Sequence, residues 1–160
     1  MDSTPGEGTR FTLLFPAVSA PAPAQAKAEI ATISGRGVIL LVDDEDIVRR
    51  IGTEVLKRHG YEVRLAADGK EALEVFKAAH DEIDAVVLDM MMPVMNGEDA
   101  LRGLHQIDAS VPVIMCSGQN EAELIRRLTA QKVGAFLQKP YTAARLLEKV
   151  RTILPGPGAP

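Results

Sequence analysis

The sequence predicts a doubly wound α/β domain on a five-stranded parallel sheet, and three observations carry the prediction. Apolar runs and amphipathic segments alternate five times between Gly37 and Leu154. Most of the runs are continuously apolar, as strands covered on both faces must be. The connections are short, so helices return the chain between parallel neighbours and cover both faces through right-handed crossovers.

VILLV (38–42) is the first buried strand. Ile47, Val48, Ile51, Val55 and Leu56 then recur at helical spacing, acidic residues occupy the first turn where the helix dipole favours them, and Gly60 marks the stop. YEVRLA (61–66) alternates like a strand, and Asp68-Gly69 turns into a helix whose buried face is Ala72, Leu73, Val75, Phe76 and Ala79. AVVLD (85–89), VPVIMCS (111–117) and GAFLQK (134–139) supply three more buried strands. Helices near 97–107, 120–132 and 142–154 bring the helices to five, with Asn120 and Thr142 as N-caps.

The flanks read differently. STPGEGTRFTLLFP (3–16) is a glycine turn followed by one strand with no partner. Residues 17–36 shift to Ala, Pro and Ser, the composition of a solvated linker. With no sheet to join, residues 1–36 are expected to be largely disordered, and so is the PGPGAP tail (155–160).

At 160 residues the chain has room for one domain and tails. A net charge of −4 and the lack of a basic cluster argue against nucleic-acid binding. Cys116 is the single cysteine and cannot form an internal disulfide; its place in VIMC marks a buried strand residue, and a reducing cytoplasmic location is expected. No apolar run is long enough to span a membrane. FTLLFPAV followed by Ala24-Gln25-Ala26 has a faint likeness to a secretory signal. Asp2 and Glu7 outnumber Arg10 before it, and Pro16 interrupts it, so it is not read as one.

Function enters at the strand ends. Asp43-Asp44 follow VILLV, Asp89 follows AVVL, Ser117 follows VIMC and Lys139 follows AFLQ. Ligands bind beyond the carboxyl ends of strands in such sheets. Three carboxylates in one place repel unless a proton or cation offsets them, and Mg²⁺, a hard cation that keeps waters and takes phosphate oxygens, suits that need. Lys139 and Ser117 would then meet phosphoryl oxygens where charge builds, and Asp89 would be the nucleophile that forms an aspartyl phosphate. Each residue alone also has a plain structural reading. Asp43 to Asp46 can cap a helix, Asp89 can end a strand, Ser117-Gly118 can be a turn, and Lys139-Pro140 a solvated strand end. It is their coincidence at four strand ends that favours a site.

VILLVDDE, VVLDMMMPVMNG, VIMCSG and GAFLQKPY together closely resemble the receiver domain of two-component response regulators, over roughly residues 37–154. The resemblance implies a flavodoxin-like fold with strand order 2-1-3-4-5. It implies that Asp89 is the phosphoacceptor and that Asp44, Asp89 and the backbone carbonyl of Met91 are Mg²⁺ ligands, with Asp43 completing the acidic pair. Ser117 matches the switch hydroxyl, Lys139 the family lysine, Phe136 the switch aromatic, and Lys139-Pro140 the cis peptide. Phe136 equally reads as plain core. Met91 and Gln119 stand where the family tunes phosphoryl lifetime, and neither is a carboxylate, so no fast built-in hydrolysis is expected. Met90, Met91, Met92 and Met95 read as adaptable packing rather than a copper stripe. His59, His80 and His105 read as surface residues, none of them a phosphotransfer histidine.

Residues 3–16 resemble the last turn and strand of the ATP-binding domain of sensor histidine kinases, which implies that the chain is the C-terminal piece of a hybrid kinase. Gly6-Glu7-Gly8 alone is no phosphate loop. The expected function is that of a phosphoacceptor rather than a turnover enzyme, in a parent kinase. It would accept the group from a kinase phosphohistidine domain and exchange it with a phosphotransfer protein, without nucleic-acid or membrane contact. Two other readings remain at this point: a nonphosphorylated interaction module, and an aspartyl-phosphate phosphohydrolase, which would want an acid where Met91 stands.

Overall fold

The computed structural model describes residues 2–4, 6, 8–10, 12, 35–118, 128 and 132–154. In chain order the elements are β1 (Asp2–Thr4), β2 (Gly8–Arg10), β3 (Val38–Val42), α1 (Asp46–Arg58), β4 (Glu62–Ala66), α2 (Gly69–Ala79), β5 (Ala85–Asp89), α3 (Gly97–Ile107), β6 (Val113–Ser117), β7 (Ala135–Gln138) and α4 (Ala143–Ile153). The helix expected at 120–132 and its Asn120 cap lie outside the described residues, apart from buried Leu128. The linker and the C-terminal tail lie outside them too, with only Gly35 and Arg36 described at the linker's end.

The main sheet runs β4-β3-β5-β6-β7, all parallel, which is the order 2-1-3-4-5 counted from β3. The apolar runs are continuous because alternate residues enter two separate cores. Leu40, Val42, Val86 and Leu88 face one side, with Phe76 of α2 and Leu101 and Leu104 of α3. Ile39, Leu41 and Val87 face the other, with Leu56 of α1 and Leu146, Leu147 and Val150 of α4.

Side-chain caps start three of the helices. Asp68 accepts from the backbone N–H groups of Lys70 and Glu71 at 2.7 and 2.9 Å, while Glu71 accepts from that of Ala67 at 2.6 Å. Asn96 caps α3 through the Asp99 N–H at 2.9 Å, and Thr142 caps α4 through that of Arg145 at 3.3 Å. In α1 the N-cap residue is Glu45, and its side chain makes no capping bond. Asp43 instead accepts from the Glu45 N–H at 3.0 Å, which bends the chain between strand and helix and leaves the carboxylate's other oxygen for the site.

The expectation of one unpartnered N-terminal strand is corrected. Asp2–Thr4 and Gly8–Arg10 pair antiparallel as a two-stranded sheet, so residues 2–4 and 8–10 find local hydrogen bonds. Gly6 and Gly8, at φ +84° and +100°, supply the left-handed conformations this turn needs. The histidines are partly exposed, compatible with surface positions: His59 is bonded to the Val55 carbonyl at 2.7 Å, and the His80 side chain, 40% exposed, has its ring 6.3 Å from the Phe76 ring between centroids.

Two substitutions should move stability in opposite directions. Phe76→Ala removes a fully buried ring and should lower stability by about 3–5 kcal/mol, read as an earlier urea midpoint at unchanged slope. Val94, exposed in the loop after β5, holds a φ of +66° that costs a β-branched residue about 1–2 kcal/mol. Val94→Gly should raise the thermal midpoint, by less than that strain because glycine gains entropy in the unfolded chain.

Candidate functional site

All four predicted positions come together at the carboxyl ends of β3, β5, β6 and β7, because adjacent parallel strands finish at the same edge. Asp43 and Asp89 are buried at 2% and 5% exposure, and Asp44 is exposed beside them. Oxygens of the three carboxylates lie within 4.8 Å of one another. Lys139 spans two of them, its Nζ 2.7 Å from Asp43 Oδ2 and 2.9 Å from Asp89 Oδ2. Ser117 is buried at the end of β6, and its carbonyl accepts from the Lys139 N–H at 2.8 Å. The Lys139-Pro140 peptide is cis.

The electrostatics follow from this packing. Burial pushes the Asp89 carboxyl above its ordinary value; the hydrogen bond and charge of Lys139 pull against that shift, and the Asp43 charge adds to it. Burial alone would lower the Lys139 ammonium, but its bonds to Asp43 and Asp89 outweigh it and hold the group above its ordinary value. One ammonium thus faces three carboxylates. An all-oxygen donor set with surplus negative charge, open on the Asp44 side, fits a hard divalent cation.

The loop after β5 is pressed against Asp89. The Met91 N–H faces Asp89 Oδ1 at 3.5 Å, and the Gly97 N–H donates to the Met90 carbonyl at 3.0 Å. A Cβ at Gly97 would lie 2.4 Å from the Asp89 carbonyl oxygen, so only glycine allows α3 to begin so close to Asp89. Met91 is 69% exposed at the mouth of the site, whereas Met90 and Met92 are buried in the core, as packing methionines are. Phe136 is half-buried on β7 and packs on the α2–α3 core, paired in register with Met115 rather than reaching the carboxylates. Gln119 lies outside the described residues.

Two participants escaped the sequence reading. Arg49 donates to the Asp43 backbone carbonyl at 2.5 Å and pairs with Asp46 at 3.4 Å, bracing the turn of the acidic pair. Its only sequence signal is a cation one turn into a helix that follows acids. Tyr141, two residues beyond Lys139, packs against the core on the α1–α4 side, and burial pushes its phenol above the ordinary value. Nothing in its spacing announced it.

Comparison with known proteins agrees with this geometry. Residues 39–151 match the family model described as the response regulator receiver domain. The chain is 39% identical over 162 residues to the sensor kinase CckA of Brucella abortus, an alignment covering 96% of this chain and 17% of the kinase. It spans about half the length of the transcriptional regulators it also matches. Among solved structures it is similar to the receiver domain of the hybrid histidine kinase CckA, at TM-score 0.64 and 34% identity, covering 74% of this chain and 99% of that one. It is also similar to a Borrelia burgdorferi chain crystallised as a CheX–CheY–BeF₃–Mg complex, at TM-score 0.70 and 30% identity, covering 73% and 88%.

Removing the ammonium should expose the repulsion it offsets. In Mg²⁺-free protein Lys139→Met should raise the Asp89 carboxyl pKa further, so that protonation begins at higher pH; a carboxyl ¹³C titration reads this directly. Gly97→Ala should perturb the amide resonances of residues 89–91 while leaving those of β4 in place, because the added methyl meets backbone that cannot yield.

Proposed function

The chain belongs to the response regulator receiver domain family of two-component signalling, and we propose that Asp89 is its phosphoacceptor, taking a phosphoryl group from a phosphohistidine. The observation that carries this is the buried Asp89 carboxylate, with Lys139 Nζ at 2.9 Å and two further carboxylates close by. Neither an interaction module nor a phosphohydrolase accounts for a lysine spanning two carboxylates beside Met91 in a receiver fold.

In this reading one Asp89 carboxylate oxygen attacks phosphorus, an acyl phosphate bond forms, and the phosphorus–nitrogen bond to the donor imidazole breaks with its electron pair returning to the ring. Lys139 already lies against Asp89 Oδ2 and would stay beside the transferred oxygens. Ser117, at the next strand end, would donate to another of those oxygens. Mg²⁺ would be held by Asp44, Asp89 and the Met91 carbonyl, with Asp43 at its edge, and would neutralise charge on the phosphoryl oxygens. Phe136 is assigned as the aromatic that turns inward with Ser117, biasing a two-state equilibrium.

The partner side rests on two features. Ile47 and Ile51 are exposed one helical turn apart on α1, and with Leu65 of β4 they form an apolar face beside the site. A donor protein that delivers phosphate to Asp89 would cover it. The alignment to a sensor kinase extends over 96% of this chain, which supports reading residues 1–16 as the end of a kinase ATP-binding domain, 17–36 as a linker and 37–154 as the receiver. We place it in the cytoplasm beside such a kinase; no helix among the described residues is long and apolar enough to cross a membrane.

Radiolabelled acetyl phosphate with Mg²⁺ should label the protein once per chain, and EDTA or Asp89→Asn should abolish the label. Labelling that survives Asp89→Asn would refute the assignment. Ile51→Glu should slow transfer from a phosphohistidine protein by roughly tenfold or more, about the effect of charging an apolar contact, and leave acetyl phosphate labelling unaltered. With no carboxylate at Met91, the label should persist for minutes or longer after the donor is removed.

A further inference from the structure

Asp43 and Asp44 are neighbours in the chain, yet they are held very differently. Every polar atom of Asp43 is engaged. Its N–H donates to the Ala66 carbonyl at 3.3 Å, Oδ1 accepts from the Glu45 N–H at 3.0 Å, Oδ2 from Lys139 Nζ at 2.7 Å, and its carbonyl from Arg49 Nη1 at 2.5 Å. Asp44 is exposed, so the direction of its carboxylate is set by the backbone that carries it. The peptide joining the two residues is planar. Whatever holds the Asp43 carbonyl therefore fixes the direction in which Asp44 leaves the turn.

Arg49 is what holds that carbonyl. It stands in the first turn of α1, where its N–H donates to the Glu45 carbonyl at 3.1 Å and its own carbonyl accepts from Thr53 Oγ1 at 2.7 Å. The side chain is 16% exposed and reaches back over the turn; its other prong, Nη2, meets Asp46 Oδ1 at 3.4 Å, where Asp46 is 73% exposed. A solvated ion pair at that separation contributes little, so the short bond to the Asp43 carbonyl is the one that matters. Glu45, the N-cap of α1, makes no capping bond, which leaves the Asp43 carboxylate and Arg49 to define the turn.

The sign of the charge makes this placement informative. A guanidinium beside a pocket of three carboxylates repels an entering cation, and by its charge alone it would weaken metal binding. Arg50, the next residue, carries the same charge but is exposed and lines the groove of Ile51 and Leu65 instead. We propose that Arg49 is a positioning residue for the divalent cation: by holding the Asp43 carbonyl it aims the Asp44 carboxylate into the pocket, and this gain outweighs the repulsion of its charge. The effect on cation affinity rests on the reading of Asp44 as a Mg²⁺ ligand; the effect on the Asp43–Asp44 peptide does not.

The test compares Arg49→Met, Arg49→Lys and Arg50→Met in the full chain, titrated with Mg²⁺ well below each unfolding midpoint and followed through the amide resonances of Asp44 and Asp89. Arg49→Met should weaken Mg²⁺ binding roughly three- to tenfold, the scale of one hydrogen bond. The loss should persist at raised salt, where effects of charge alone are screened. Arg49→Lys, which keeps the charge and a donor for the carbonyl, should recover most of the affinity. Arg50→Met, which removes the same charge without that bond, should bind Mg²⁺ at least as tightly as the wild type. In the Mg²⁺-free protein the Asp43 carbonyl ¹³C resonance should move in Arg49→Met and return in Arg49→Lys. Mg²⁺ binding by Arg49→Met as tight as in the wild type, or tighter, would overturn the proposal, and so would an equal loss in Arg50→Met. Should Arg49→Met not fold, Arg49→Ala, with the strongest helix former at that position, is read in its place. If the wild type binds no Mg²⁺, the ligand reading fails, and the Asp43 carbonyl resonance alone decides whether Arg49 holds the peptide.

Discussion

Two buried carboxylates with a third at their rim form an arrangement that repels itself, and the surrounding structure is organised by the need to offset it. Asp43 and Asp89 lose most of their water, so their repulsion is poorly screened. The Lys139 ammonium, 2.7 and 2.9 Å away, compensates part of the charge. The Glu45 N–H satisfies the remaining Asp43 oxygen. The balance is incomplete by design of the donor set: three acids and one base leave net negative charge facing solvent at Asp44, where a cation can enter. A site fully neutralised by its own side chains would have no use for one.

That arrangement needs rigid backbones, and the sheet supplies them. Asp43, Asp44, Asp89 and Ser117 stand at the ends of strands that are almost wholly buried, so their positions are set by two cores at once. Lys139 instead follows the edge strand β7, which the sequence marks as buried but which is half-exposed at Ala135 and Phe136 and exposed at Gln138 because no further strand of the sheet covers it. The segments that cross the top of the sheet are held differently. Gly97 allows α3 to start against the Asp89 carbonyl, while exposed Val94 takes a left-handed conformation in the loop between them. The loop over Asp89 therefore combines one close backbone contact with one strained residue.

The apolar face of α1 and the acidic pocket lie side by side but do different work. Charge at the pocket governs which ions it can hold. The aliphatic face, with Ile47 and Ile51 left in solvent, carries no charge and offers contact area instead.

The fold was legible because burial on both faces imposes continuous apolar runs, and because the turn and cap residues Asp68 and Thr142 stand where helices begin. Asp43, Asp44, Asp89, Ser117 and Lys139 were legible because each ends such a run, and a parallel sheet must bring those ends to one edge. Sequence also placed the N-terminal glycine turn but not the partner of its strand, since a three-residue strand such as Asp2–Thr4 carries no apolar period to mark it. Only the tertiary structure decided that Lys139 bridges Asp43 and Asp89, that Arg49 braces the Asp43 turn, and that Tyr141 packs on the core that contains Cys116. Those contacts join residues up to 96 positions apart, and which atoms meet across such distances depends on the packing of whole elements, a property that no local pattern of residues encodes.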